Sequence, residues 1–382
     1  MTEKAGRKES LEELFARLKY DFDGVLREFP CLYELEEVEQ EAEYHGEGDV
    51  LEHTRRVCQS VVSGPEWERL NERDRAILYT AALFHDIGKK YCTTVEEGRI
   101  ISPNHSAVGM RRFREYCLKE MEPRLDIPFS MREEIAWLIR YHGLPLLFLE
   151  KTPVDYYLVR ARESVRLPLL YQLGRADVLG RECSDKEAAC DTVDYFKAYA
   201  EETGCWEDKI KFANEYTRFT YFEKRDRWMG AQLYDTTQFD VYVMSGLPLS
   251  GKDTYIEKEL SGFPVVSLDD IRAELGIRPD EPSGPVAAVA KERSKEFLRK
   301  KQPFIWNATN ILLDTRRNVC KMCTDYGARV HLIYREAPYQ ELLERNRIRS
   351  RSVPVEVIDR LIHKMDVPEC VEAYRVEYPR DR

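Results

Sequence analysis

The chain has no run of eighteen apolar residues, so no membrane span is expected. Its opening residues, MTEKAGRKESLEELF, hold no apolar stretch of the kind a secretory signal needs, which points to the cytoplasm. No internal repeat or low-complexity tract appears, which argues against a solenoid or a disordered array. Paired cysteines are nearly absent. Of ten cysteines only Cys320 and Cys323 form a C-x-x-C, with no second pair nearby, so they are read as two ordinary thiols in or near a helix of a reduced protein. A net positive charge is missing too. A balance of −10 argues against a general nucleic-acid coat protein but leaves room for a local basic groove.

What is present suffices for two domains with real cores, since the chain runs to 382 residues. Leu11, Leu14, Phe15 and Leu18 fall at helical spacing, and residues 9–43 are expected to be helical. Residues 50–228 continue as helical segments broken by Pro and Gly, with little strand character. Phe212, Tyr216, Phe219 and Phe222 repeat at helical spacing and predict a buried connecting helix. Polar and turn residues at 235–238 mark a boundary. Beyond them VYVMSG, FPVVSL, PFIWNA and ARVHLIYR alternate with helical segments, the pattern of a mostly parallel sheet. The expected organisation is multidomain, with an all-α domain over residues 1–234 followed by an α/β domain over 235–382.

Histidine is scarce, yet five of the seven lie between positions 45 and 142. His53 sits in EHTRRV, His85 and Asp86 in ALFHDIGKK, His105 in NHSAVG, His142 in RYHGLP and Asp177 in GRADVLGR, each in a helical context. A single histidine of this sort is ordinary, and His45 is read so. Four His and two Asp around an adjacent His-Asp pair are different. Imidazole and carboxylate together suit Mn, Fe, Co, Ni or Zn and leave positions for water and substrate oxygens. The spacing resembles the HD phosphohydrolase superfamily, whose all-helical core carries H…HD…D, and the added histidines are similar to its members that bind two metals. The resemblance implies one metal held by His53, His85, Asp86 and Asp177, with Asp86 bridging to a second held by His105 and His142. Two such ions clamp a phosphoryl group and generate hydroxide near neutral pH. Lys89, four residues after His85 and expected on the same helical face, and Arg181, four after Asp177, are candidate phosphate contacts.

Residues 240–260, DVYVMSGLPLSGKDTYIEKEL, read as a strand, a glycine-bounded loop and a helix. Residues 246–252 match G-x-x-x-x-G-K, the phosphate-cradling P-loop. Gly246, Ser250 and Gly251 would turn backbone N–H groups toward phosphate oxygens at a helix N-terminus, and Lys252 would reach the β- and γ-phosphates. The expected ligand is ATP, or another NTP, with Mg²⁺. Asp253 departs from the pattern, standing where Ser or Thr usually holds Mg²⁺, with Thr254 next. In SLDDIRAEL, Asp269 and Arg272 fall at D-x-x-R. A carboxylate there can accept a proton from a hydroxyl, and an arginine one turn on can bind a neighbouring phosphate. Arg345, Arg347, Arg349 and Arg351 form either a solvated helix face or a lid over the transferring phosphate. About two basic groups stand for each acidic one over residues 291–351, which fits a phosphate-backbone track.

Together G-x-x-x-x-G-K-D-T, D-D-x-R, N-x-T-N at residues 307–310 and R-N-x-x-R at 345–349 resemble polynucleotide 5′-kinases of the phage type. The resemblance implies Asp269 as general base, Arg272 on the substrate phosphate, and Arg349, beside Arg345, as lid arginine over the nucleotide. Ala308 stands where the phage enzymes carry a carboxylate, which puts a substrate contact there in doubt. An HD module followed by such a kinase is similar to the bacterial HD-Pnk enzymes, which heal RNA ends. That similarity implies removal of 2′,3′-cyclic, 2′- or 3′-phosphates by the first domain and phosphorylation of a 5′-hydroxyl by the second. It further implies RNA ends as substrates, DNA being left open, and a separate RNA ligase as partner. Two other readings remain: an HD nucleotidase fused to a small-molecule or nucleoside kinase, and an NTP-dependent switch whose HD module senses a nucleotide.

Overall fold

The computed structural model describes residues 7–278, 281–349 and 352–380. The chain divides between Ile210 and Lys211 into two compact units. The first runs β1 (Glu9–Ser10), α1 (Leu11–Leu18), α2 (Phe22–Glu28), α3 (Val50–Val62), α4 (Glu72–Phe84), α5 (Lys89–Cys92), β2 (Thr94–Glu96), β3 (Arg99–Ile101), α6 (His105–Tyr116), β4 (Leu125–Asp126), α7 (Phe129–Tyr141), α8 (Leu144–Leu147), α9 (Val154–Ser164), α10 (Leu167–Gly180) and α11 (Lys186–Thr203). It is helical apart from the short β2–β3 hairpin and the two-residue β1–β4 pair. Helix α4 packs on α3, α7 and α10, and their apolar faces close over Val57, Ile77, Leu83, Ile139 and Leu173, all buried. Each such side chain contributes roughly 1.5–3 kcal/mol on leaving water. Local chemistry sets the starts: the Asp49 carboxylate accepts from Glu52 N at α3, and the Asn71 amide oxygen accepts from Asp74 N at α4.

The helix expected over residues 9–43 does not run through. Lys19 and Tyr20 take positive φ, α2 ends before Pro30, and residues 36–49 are irregular. That irregular strap is tied down by side chains rather than by a ladder. Glu41 Oε2 accepts from Ile100 N at 2.9 Å, and Gln40 Oε1 accepts from Lys89 Nζ at 2.7 Å.

The second unit runs α12 (Glu215–Glu223), β5 (Phe239–Ser245), α13 (Lys252–Glu259), β6 (Val265–Ser267), α14 (Leu268–Glu274), α15 (Gly284–Arg299), β7 (Phe304–Asn307), α16 (Leu313–Thr324), β8 (Ala328–Tyr334), α17 (Tyr339–Ile348), α18 (Val355–Lys364) and β9 (Arg375–Glu377). The strands form one parallel sheet in the order β6-β7-β5-β8-β9. Val241 and Val243 face α15 and α16 on one side. Met244 faces Ile256 of α13 and Leu260 just after it on the other. A sheet covered on both faces explains why its strands read as near-continuous apolar runs. Cys320 and Cys323 are core thiols of α16. Among the described residues no helix is long and apolar enough to cross a membrane.

Two differences from the sequence-based expectation stand out. Strand β9 was not anticipated; three residues carry too little pattern. The aromatic helix α12 belongs with the second unit, so the boundary between the units falls at 210/211 and not at 234/235. Its Phe219 ring lies 6.1 Å from Tyr374, and Arg218 donates to Cys370 O at 3.0 Å. Periodicity reveals that such a helix is apolar on one face, but not which core covers it.

Candidate functional site

In the first unit the structure brings all six expected ligands together. His85 follows the last turn of α4, His142 follows that of α7, and His105 opens α6. In each the Nδ1–H donates to the carbonyl three residues earlier, of Ala82, Ser102 and Ile139, at 2.8 Å. The last turns of α4 and α7 leave the Ala82 and Ile139 carbonyls without intrahelical partners, while the Ser102 carbonyl lies in the turn ahead of α6. That bond turns every Nε2 inward as a potential ligand. His53 Nε2, from α3, lies 3.1 Å from Asp177 Oδ1 of α10. Asp86 sits between the two groups. Its Oδ2 is 3.2 Å from His85 Nε2, and its Oδ1 is 3.4 and 3.8 Å from Nε2 of His105 and His142. Donor atoms of His53, His85 and Asp86 fall within 4.8 Å of one another, and so do those of Asp86, His105 and His142.

His85 Nε2 and Asp86 Oδ1 are buried without a hydrogen-bond partner, a costly state that a cation relieves. The donor set therefore fits divalent metal at two positions sharing Asp86. The charges agree. Burial opposes ionisation of Asp86 and Asp177, but Lys89 beside one and Arg181 beside the other, with the imidazoles, hold both carboxyls well below their usual range. Burial pushes His142 down to about 3, keeping it neutral and its lone pair available.

Lys89 and Arg181 are placed differently from expectation. Helix α4 stops at Phe84, so Lys89 is not on a shared helical face with His85. It opens α5 and contacts Asp86 Oδ2 at 2.8 Å. Arg181 donates to Asp177 Oδ2 at 2.9 Å. Both cations hold these candidate ligand carboxylates in place.

Two participants escaped the sequence reading. Glu47 is buried on the strap. Its Oε1 accepts from His45 Nδ1 at 2.8 Å and lies 2.7 Å from His53 Nδ1, while Oε2 accepts from Glu182 N. His45, taken as ordinary, thus stands behind a site ligand. Gly88 is the other. A Cβ there would lie 2.0 Å from His105 O and 2.6 Å from Gly109 N, so only glycine lets α6 approach the His-Asp doublet. Gly88→Ala is expected to destabilise the unit by about 1–3 kcal/mol. It should also displace His105, so a calorimetric metal titration should lose its second equivalent before its first. Unchanged melting and an intact second equivalent would refute the packing account.

In the second unit the loop after β5 has the conformation a phosphate cradle needs. Gly246, Leu249 and Gly251 take φ of 144°, 69° and 88°. At Gly246 any Cβ would meet Arg335 O at 2.2 Å. Lys252 Nζ folds back on the carbonyls of Gly246 and Leu247 at 3.0 and 2.8 Å. Burial lowers its pKa to about 8, against the opposing pull of Asp253 and Asp269; Arg349 pushes the same way as burial. The Ser250 hydroxyl is buried without a partner, and Thr254 is exposed on the first turn of α13.

Other sequence candidates are braces. Arg345 donates to Leu249 O at 2.8 Å and pairs with Glu341, holding the loop from outside. Arg272 donates to the carbonyls of Arg278 and Glu281 and to Ser283 Oγ, tying down the turn after α14 instead of standing clear for a phosphate. Arg351 lies outside the described residues. In N-x-T-N, Thr309 O accepts from Gly246 N, and Asn310 donates to Met244 O, so that motif supports the loop.

Residues 49–179 match the family model of the HD domain, and residues 241–368 match that of an AAA domain. The chain thus carries an HD domain ahead of an AAA-type P-loop domain. It is similar to the L-seryl-tRNA(Sec) kinase of Methanococcus maripaludis, 27% identical over 134 residues, covering 33% of this chain and 52% of the relative. The chain spans about half the length of that curated relative.

Proposed function

We propose that this protein heals broken RNA ends. The observation that supports the reading is the pairing in one chain of an HD domain carrying a cluster of His and Asp with a domain carrying a phosphate loop. RNA cleaved by its own 2′-hydroxyl ends in a 2′,3′-cyclic phosphate and a 5′-hydroxyl, and both must be changed before the ends can be joined. The related kinase, named for a tRNA-borne substrate, supports an RNA acceptor.

In the HD domain, His53, His85, Asp86, Asp177, His105 and His142 hold divalent metal, which supplies Lewis acidity and hydroxide near neutral pH. Lys89 and Arg181 keep the ligand carboxylates ionised and aimed. In the kinase domain the loop N–H groups, the Ser250 hydroxyl and Lys252 bind the NTP phosphates. Asp269 accepts the proton of the 5′-hydroxyl, and Arg349 neutralises charge on the transferring phosphoryl group. A separate ligase would consume the products.

The engagement of Arg272 with its own loop favours a second reading, a kinase for a small hydroxyl compound that carries no neighbouring phosphate. One experiment separates them. The protein is incubated with γ-labelled ATP, Mg²⁺ or Mn²⁺, and either 5′-hydroxyl RNA bearing a 2′,3′-cyclic phosphate or a set of free nucleosides. Label on the RNA 5′ end with loss of the 3′-terminal phosphate is expected. Label on nucleosides alone would move the protein to the second reading.

A further inference from the structure

We propose that the acidic and the neutral magnesium ligands of a P-loop site have exchanged places in this protein. Asp253, on the first turn of α13, supplies the carboxylate, and Asn307, at the end of β7, supplies the neutral partner. The inference rests on the kinase reading above and names which residues of that site face the metal of the bound Mg²⁺–nucleotide.

P-loop enzymes commonly hold Mg²⁺ through a Ser or Thr hydroxyl directly after the loop lysine and an acid on a neighbouring strand. Here the residue after Lys252 is Asp253. Strand β7 runs parallel beside β5, with Val241 opposite Phe304 and Val243 opposite Trp306, so Asn307 emerges at the carboxyl edge next to the loop. Its Nδ2 donates to Asp253 Oδ1 at 2.7 Å. Taken singly, Asp253 is wrong for its position, and the strand end beside it, Asn307 with Ala308, carries no acid. Taken together they leave the site one carboxylate and one neutral oxygen, the same charge as the usual arrangement. Two carboxylates at that separation would repel each other and the triphosphate. A lone Asp253 with no donor would be free to swing. The Asn307 amide removes both problems, occupying one carboxylate oxygen and leaving the other toward solvent on an exposed side chain. Mg²⁺ favours carboxylates and keeps several waters, so such a ligand serves directly or through its water shell. Thr254 is a poor substitute, because consecutive helix residues do not share a face. On the kinase reading Asp269 serves the acceptor hydroxyl instead.

The test is a double-mutant cycle read by ATP binding to the full chain, titrated with Mg²⁺ and also without it. Asp253→Ser should raise the Mg²⁺ needed for half-maximal ATP binding on the order of tenfold, by loss of a charged ligand, while metal-free ATP binds no more weakly or more tightly. Asn307→Asp alone should weaken ATP binding by like-charge repulsion. The double variant should return to within about threefold of the natural protein, a coupling that independent sites do not show. A double variant no better than the worse single one overturns the exchange. So does a strong Mg²⁺ shift for Thr254→Val with none for Asp253→Ser. Loss of melting temperature in Asp253→Ser with an unmoved Mg²⁺ requirement would leave the pair a structural cap and also overturn it. If the natural protein binds no ATP with or without Mg²⁺, the kinase reading itself fails.

Discussion

Lys252→Ala is expected to slow phosphoryl transfer to a 5′-hydroxyl RNA at least ~100-fold, with phosphate removal at the 3′ end unchanged. The ammonium is the positive charge enclosed by the loop, bonded to the carbonyls of Gly246 and Leu247. Removing it takes away charge stabilisation where the triphosphate builds negative charge. Asp269→Ala should cost a similar factor for a different reason, loss of the proton acceptor, and should leave ATP binding intact. The two are told apart by measuring transfer and binding separately. Near-normal transfer by Asp269→Ala would remove it from the base role. The lowered pKa of Lys252 gives a further check. In the nucleotide-free protein the ammonium loses its proton near pH 8, and bound phosphates restore it. ATP binding therefore takes up a proton above that pH, and affinity should fall by up to about tenfold per pH unit as pH rises past ~8. A flat affinity profile from pH 7 to 10 would contradict it.

Asp86→Ala is expected to reduce 3′-end phosphate removal to background while the 5′-kinase survives. Asp86 faces His85 through one oxygen and His105 and His142 through the other, so its loss unmakes both metal positions at once. It also strands the Lys89 ammonium, which is 8% exposed. Metal content by mass spectrometry should drop with the activity, and Asp86→Asn, which keeps the shape and removes the charge, should fail as well. A thermal melt of the same preparation, read for both units, reports whether the protein is folded. If Asp86→Ala or Lys252→Ala destroys both activities in folded protein, two independent centres are excluded.

How far the chemistry was legible depended on how local it was. The loop at residues 246–252 and the strand before it are contiguous, and their conformation follows from glycines at positive φ and an apolar run beside them. The six candidate metal ligands could be picked out because histidine is scarce in this chain and clusters around an adjacent His-Asp pair. Glu47 was hidden because a glutamate in an acidic, irregular stretch carries no periodicity, and its meaning comes from His53 and Glu182, the latter far along the chain. The overlong helix over residues 9–43 failed for a related reason. The strap is shaped by contacts with Lys89 and Ile100, not by its own pattern.

Arg272 and Asn307 mark the same divide from the other side. By itself the sequence determined the residue types, the starts of the side-chain-capped helices such as α3 and α4, four of the five sheet strands and the phosphate loop, since caps, alternation and positive-φ glycines act within a few residues. Only the tertiary structure decided that Arg272 braces its own turn and that Asn307 meets Asp253. It alone decided that Gly88 must lack a side chain and that the aromatic helix joins the second core. Each of those outcomes depends on which distant surfaces close against one another, and burial is non-directional: it rewards apolar contact without recording in the local pattern which partner supplies it.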